Sequence, residues 1–98
     1  MRVMIDLCVV PIDVGLSVSS YIAACERVIA EAGLASSLHA YGTTIEGEWD
    51  DVFAAVKRCH EVLHEMGVVR IHSTMRIGTR TDRIQTMDDK VASVRAKL

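Results

Sequence analysis

Positions 3–10 read VMIDLCVV, a strand's length of β-branched and aliphatic side chains, and Pro11, which has no amide hydrogen for a central ladder, is expected to end the run. From Val18 the spacing changes. Tyr21, Ile22, Cys25, Val28, Ile29 and Ala32 recur at three and four residues, which turns one apolar stripe of a helix toward a core. Ser17 or Ser19 is placed to cap this helix and Gly33 to end it. Residues 36–41 and 43–48 form two short extended runs about Gly42, a hairpin pattern in which the glycine supplies the permissive backbone of a tight connection. A second helix is predicted from about Asp50 to Met66, with Val52, Val56, Cys59, Leu63 and Met66 on one face and Gly67 as its stop. Residues 68–77 read as a fourth strand. Residues 86–97 read as a terminal helix with Thr86 as cap, Asp88 and Asp89 near its positive end and Arg95 and Lys97 near its negative end. Its apolar stripe is thin: Met87, Val91, Val94 and Leu98.

The order βαββαβ is the split βαβ arrangement, an α+β sandwich in which two helices cover one face of a four-stranded antiparallel sheet and leave the other face open. Side chains alternate across a strand, so if Val3, Ile5, Leu7 and Val9 face the helices, Met4, Asp6, Cys8 and Val10 face the other way. The same division sends Ser37, His39 and Tyr41 outward from strand two. It sends Thr44, Glu46 and Glu48 outward from strand three, and Arg70, His72, Thr74 and Arg76 from strand four. The open face therefore mixes apolar patches (Met4, Cys8, Val10, Tyr41) with convergent polar groups of both signs (Asp6, His39, Glu46, His72, Arg76), as a ligand site requires. A sheet-to-sheet subunit interface with a few ion pairs accounts for the same mixture, and residue types alone favour it; the two uses are compatible.

Length and composition narrow the classes. Ninety-eight residues fit a single domain spanning 1–98, since two cores would each be too small to offset their ordering entropy. Half the residues are hydrophobic, yet no apolar run approaches the roughly 18–20 residues of a membrane span. Asp6, Pro11 and Asp13 interrupt the N-terminal stretch, unlike the core of an export signal, so a soluble cytoplasmic protein is expected. Cys8, Cys25 and Cys59 are odd in number, widely spaced and without a CxxC pair, which fits free thiols in a reducing compartment. Eleven basic against thirteen acidic residues and only four aromatics give neither an electrostatic footprint for nucleic acid nor a stacking platform. The high apolar fraction of so small a domain points instead to a homo-oligomer.

The candidate chemistry is modest. His60 and His64 stand one helical turn apart, a spacing that can grip a metal, but no third ligand is evident and Cys59 points about 100° away around the helix, so surface histidines are preferred and no metal is expected. Glu46 with His39 or His72 could act as general acid and base, with Asp6 orienting the histidine. Neither GxSxG, HExxH nor GxxxxGK[ST] accompanies them, which favours binding over catalysis and leaves no catalytic residue assigned. Gly15, Ser17, Ser19 and Ser20 open helix one, whose free amides could hold a phosphate or carboxylate or serve only as caps. Trp49 could stack on a flat ring, but packing at the corner between strand three and helix two is preferred. Arg80, Asp82 and Arg83 read as a solvated loop or an inter-subunit salt bridge.

Four stretches carry a resemblance: VVPIDVGLSVSSYIA after strand one, HAYGTTIEGEWDDV across the hairpin, VKRCHEVLHEMGVVRI through helix two, and TRTDRIQTMDDKVASVRAKL at the end. Together they make the chain, nearly end to end, similar to the thiamine-binding family of small ferredoxin-like proteins related to YkoF thiamine-binding domains. Asp13 departs from it, standing where the family usually carries Gly after Pro-Ile. The resemblance implies a ferredoxin-like βαββαβ fold, dimers paired into tetramers with help from the terminal helix, and binding of thiamine or its hydroxymethylpyrimidine portion without turnover or a cofactor. In that setting a carboxyl such as Glu46 could meet the aminopyrimidine, with Thr44 and Ser19 supplementing it. Tyr41 or Trp49 could stack on the ring, and Asp6 could offset the thiazolium charge. The expected ligand-binding set is thus Asp6, Ser19, His39, Tyr41, Thr44, Glu46, Trp49 and His72. The alternatives are a structural or regulatory assembly protein whose open face is consumed by subunit contacts, and a small acid-base enzyme using Glu46 and a histidine.

Overall fold

The computed structural model describes residues 1–98. The elements are β1 (Arg2–Ile12), α1 (Ser19–Glu31), β2 (Ala35–His39), β3 (Gly42–Glu48), α2 (Trp49–Glu65), β4 (Arg70–Gly78) and α3 (Met87–Arg95). The strands form one antiparallel sheet in the order β2-β3-β1-β4, the ferredoxin-like α+β arrangement. No helix is long and apolar enough to cross a membrane.

Alternation along β1 sets the two faces. Val3, Ile5, Leu7 and Val9 are buried, and they join Ala24, Cys25, Val28 and Ile29 of α1 with Val52, Cys59 and Leu63 of α2 in one core. Both helices stop at a glycine in the left-handed region, Gly33 at φ +72° and Gly67 at +94°, where a side chain would be strained. Asp13 also lies there, at φ +59°, so it holds the backbone that a glycine would take at this position.

Several expected boundaries move for physical reasons. β1 runs through Pro11 to Ile12 instead of ending before the proline. Its pairing with β3 stops at Leu7 while its pairing with β4 continues to Ile12, so one edge is open where Pro11 sits, and a residue without an N–H is tolerated there. Neither Ser17 nor Ser19 caps α1; Val18 occupies the cap position without a side-chain hydrogen bond. α2 begins at Trp49 and ends before Met66, which is exposed, while Ala55 takes a buried place on its inner face. β4 starts two residues late, at Arg70.

The hairpin turns at Ala40 and Tyr41, not at Gly42, which pairs with His39 as the first residue of β3. Gly42 answers a different need. A Cβ there would lie 2.5 Å from the Leu7 carbonyl oxygen and 3.5 Å from the His39 ring, so the missing side chain lets β1 approach and leaves a gap on the open face. The clash is with backbone, which cannot rotate away. Gly42→Ala is therefore expected to destabilise the chain by about 1–3 kcal/mol, read as a lower urea midpoint. An unchanged midpoint would show that the close approach is not required.

Candidate functional site

The pleat brings one residue from each strand into rows across the face away from α1 and α2. Ser37, Thr44, Asp6 and Arg76 form one row, and Ala35, Glu46, Met4 and Gly78 the next. The outward assignment from alternation holds for the residues that lie on the four strands; Tyr41, assigned to strand two, lies in the hairpin turn.

Asp6 is the electrostatic centre of its row. Its Oδ2 accepts from the Arg76 guanidinium at 2.8 Å, and its Oδ1 lies 2.6 Å from His39 Nε2, an imidazole that reaches Asp6 across the gap left by Gly42. The Tyr41 N–H donates to His39 Nδ1 at 3.3 Å, which assigns the ring proton to Nε2, facing Asp6. Hydrogen bonds from Arg76 first and from His39 second hold the Asp6 carboxyl below its ordinary value. Both oxygens of Asp6 are thus already engaged within the chain.

Glu46, in the adjacent row, is a carboxylate with only 7% of its surface exposed. Its Oε2 accepts the Met87 N–H at 2.9 Å, so a carboxylate on the sheet meets the first amide of α3, where a negative group is favoured. That helix start is fixed independently by a capping box: the Thr86 hydroxyl accepts from the Asp89 N–H, and Asp89 accepts from the Thr86 N–H. Just upstream, Arg80 donates to both oxygens of Asp82 and to Gln85 Oε1, tying down residues 80–85. The Arg80 contact holds the Asp82 carboxyl down at about 2.

The chain after β4 is thereby folded back over the open face, and a cleft of about 940 Å³ lies between them. That volume is within the roughly 300–1,000 Å³ range of small-molecule sites. Asp6, Thr44 and Glu46 stand on its floor, Met4 and Ile84 give it apolar surface, and Arg76, Arg80, Arg83 and Lys90 bring positive charge. Of the eight expected ligand-binding residues, the structure brings these three together in the cleft. His39 touches it only through Asp6. Ser19 opens α1, where its hydroxyl lies 3.4 Å from that of Ser17. Tyr41 is 88% exposed in the hairpin turn. His72 faces outward opposite Val10, farther along β1, and Trp49 stacks on Phe53 at 4.6 Å between ring centres. No aromatic side chain lines the cleft.

The wall contributed by residues 79–90 is not legible in the sequence. Thr86 reads as a cap and the 80–83 charges as a cluster, but nothing local shows that the first amide of this helix lands on Glu46, forty-one positions earlier. Outside the cleft, the histidine pair on α2 has structural partners: His60 Nε2 lies 2.7 Å from Ser73 Oγ, and His64 Nδ1 lies 2.7 Å from the Val68 carbonyl. Burial, then the neighbouring His64, lowers the pKa of His60. No group of three potential ligands forms around them.

Comparison with known proteins agrees with this architecture. The sequence profile of the family described as "Thiamine-binding protein" matches residues 5–95. The chain belongs to that family. Among its relatives, UPF0045 protein sll0230 of Synechocystis is 66% identical over 94 residues, covering 96% of this chain and 78% of that protein. UPF0045 protein ECM15 of Eremothecium gossypii is 48% identical, covering 100% of this chain and 94% of the other. The solved structure of Methanocaldococcus jannaschii MJ1052 superposes with a TM-score of 0.89 at 28% identity, covering 96% of each chain. Thermotoga maritima TM0486 shares the fold, with a TM-score of 0.81 at 24% identity, over 97% of this chain and 100% of that one.

The Asp6 bridge makes a pH-dependent prediction. Because the folded carboxyl titrates below its unfolded value of about 4, its stabilisation is present above that value and is lost as pH falls through the lower, folded one. The urea midpoint of Asp6→Asn should therefore lie below that of the parent chain at neutral pH, with the gap closing as pH falls below about 4. A gap that stayed constant down to pH 2 would remove the bridge from the account.

Proposed function

We propose that this chain is a cytoplasmic, homo-oligomeric binding protein for thiamine or its hydroxymethylpyrimidine portion, and that the cleft at Thr44 and Glu46 receives the pyrimidine. The observation that carries the reading is the pairing of an available acceptor with an available donor on one strand inside that cleft, in a chain of the thiamine-binding family. Glu46 uses Oε2 for Met87 and keeps Oε1 without a hydrogen bond in the chain, while the Thr44 hydroxyl, two residues away on the same face, is likewise unbonded. An aminopyrimidine presents the complementary pair: its exocyclic amine donates to Glu46 and a ring nitrogen accepts from Thr44. Met4 and Ile84 supply apolar contact for the ring.

Assembly enters through α3. Val91, Val94 and Leu98 on this helix and its tail are exposed, and α3 buries no residue of its own. A second copy of the chain covers such a stripe in the proposed dimer of dimers, and sedimentation reads the assembly directly: a mass of one 10.8-kDa chain would remove that part of the reading.

The binding site is tested by titration calorimetry with thiamine and with the pyrimidine alcohol. Saturable binding is expected, weakened about 3- to 10-fold in Thr44→Val, as for loss of one neutral hydrogen bond, and more strongly in Glu46→Ala. Because Glu46 also holds α3, circular dichroism must show the helix content retained for that variant to count, and Thr44→Val stands without that condition. Parental affinity in Thr44→Val and in a folded Glu46→Ala would place the ligand elsewhere.

A further inference from the structure

The charges around the cleft are unequally satisfied. Each of its acidic groups has a partner: Asp6 has Arg76 and His39, Glu48 has the Met1 ammonium at 3.2 Å, and Glu46 has the Met87 amide on one oxygen, the other being the acceptor assigned above to the pyrimidine. Among the cations, Arg76 is paired with Asp6 and Arg80 with Asp82. Arg83 and Lys90 also line the cleft, and neither has a carboxylate within ion-pair distance; Arg83 feels the fields of Asp82 and Asp89 without contacting either. Arg2 lies on the same side opposite Glu48, which is already held by Met1. The side chains that line the cleft thus carry a surplus of positive charge, because Arg80, Arg83 and Lys90 of the segment after β4 line it while Asp82, Asp88 and Asp89 of the same segment do not, and no aromatic face is there to receive a cation. A ligand bearing only the thiazolium charge adds to that surplus. A phosphate monoester carries about −1.5 to −2 charges at neutral pH and several strong acceptor oxygens, which neutralise it.

We infer that the cleft selects the phosphate monoester of its aminopyrimidine-containing ligand, with Arg83 and Lys90 as the anchors of the phosphate. The inference rests on the pyrimidine placement proposed above and adds the other end of the ligand. Thr44 and Glu46 take the ring on the sheet, and the phosphate faces the wall after β4. Thr79 and Thr81 also line the cleft on that wall. Arg80, locked by Asp82 and Gln85, shapes the wall and is not counted as an anchor.

The test is calorimetry at low ionic strength with two matched pairs: the pyrimidine alcohol against its phosphate ester, and thiamine against thiamine monophosphate. At least one ester is expected to bind tenfold or more tightly than its parent, and which pair shows the gain identifies the source of the phosphate. The ratio should shrink at high salt and fall toward one in the Arg83→Gln/Lys90→Gln double variant, because both side chains are exposed and their loss leaves the core intact. Lys57→Gln, on α2, should keep the ratio. Equal affinity for ester and parent in both pairs, or an ester preference that survives the double variant, overturns the inference while leaving pyrimidine binding in place. Absence of binding by all four compounds overturns the pyrimidine reading as well.

Discussion

The site depends on the register of β1. This strand pairs with β3 on one side and β4 on the other, and Ile5 stands opposite both Ile45 and Ile77. Ile5 and Ile45 are among the most completely buried side chains, so sliding β1 by one residue would expose Val3, Ile5, Leu7 and Val9 together and bury Asp6 among them. Burying one unpaired carboxylate and losing four apolar contacts excludes that alternative by many multiples of thermal energy. With the register locked, Asp6 is obliged to meet Thr44 on one side and Arg76 on the other. The polar rows of the outward face are a consequence of how the core packs.

A sheet face alone is too flat to enclose a small molecule. The chain beyond β4 changes that, and it does so through polar contacts instead of apolar burial: a capping box at Thr86 and Asp89, an arginine braced by Asp82 and Gln85, and one amide donated to Glu46. Contacts of this kind hold a wall in place without filling the space behind it. They also leave Val91, Val94 and Leu98 uncovered, so the same element that forms the cleft offers a surface for assembly.

The sequence displayed what is periodic. The strand and helix order, the two faces of β1, the glycine stops and the Thr86 cap all follow from spacing or local backbone chemistry, and the structure has each of them. What it concealed was set by partners distant in the chain. Gly42 looks like a turn residue until Leu7 and His39 are placed beside it, and Pro11 looks like a stop until β3 is seen to leave β1 at Leu7. Of the eight residues expected to bind ligand, Asp6, Thr44 and Glu46 share the cleft because strand alternation alone positions them. Trp49 and Tyr41 are candidates through side-chain chemistry alone, and their positions depend on a helix start and a turn that periodicity does not resolve. The cations that line the cleft after β4 are not legible in the sequence, because a segment of balanced charge presents them to the cleft only once it is folded back onto the sheet.

The central claim is that a small molecule binds between the outward face of the sheet and the segment folded over it. Amide chemical-shift mapping of the isotope-labelled protein during titration with the pyrimidine alcohol addresses it most directly. The account predicts that the largest shifts fall at Met4, Thr44, Glu46 and residues 84–87, with Trp49, Tyr41 and the start of α1 unmoved. Saturable binding with its shifts concentrated at Ser19, Tyr41 or Trp49 would contradict it.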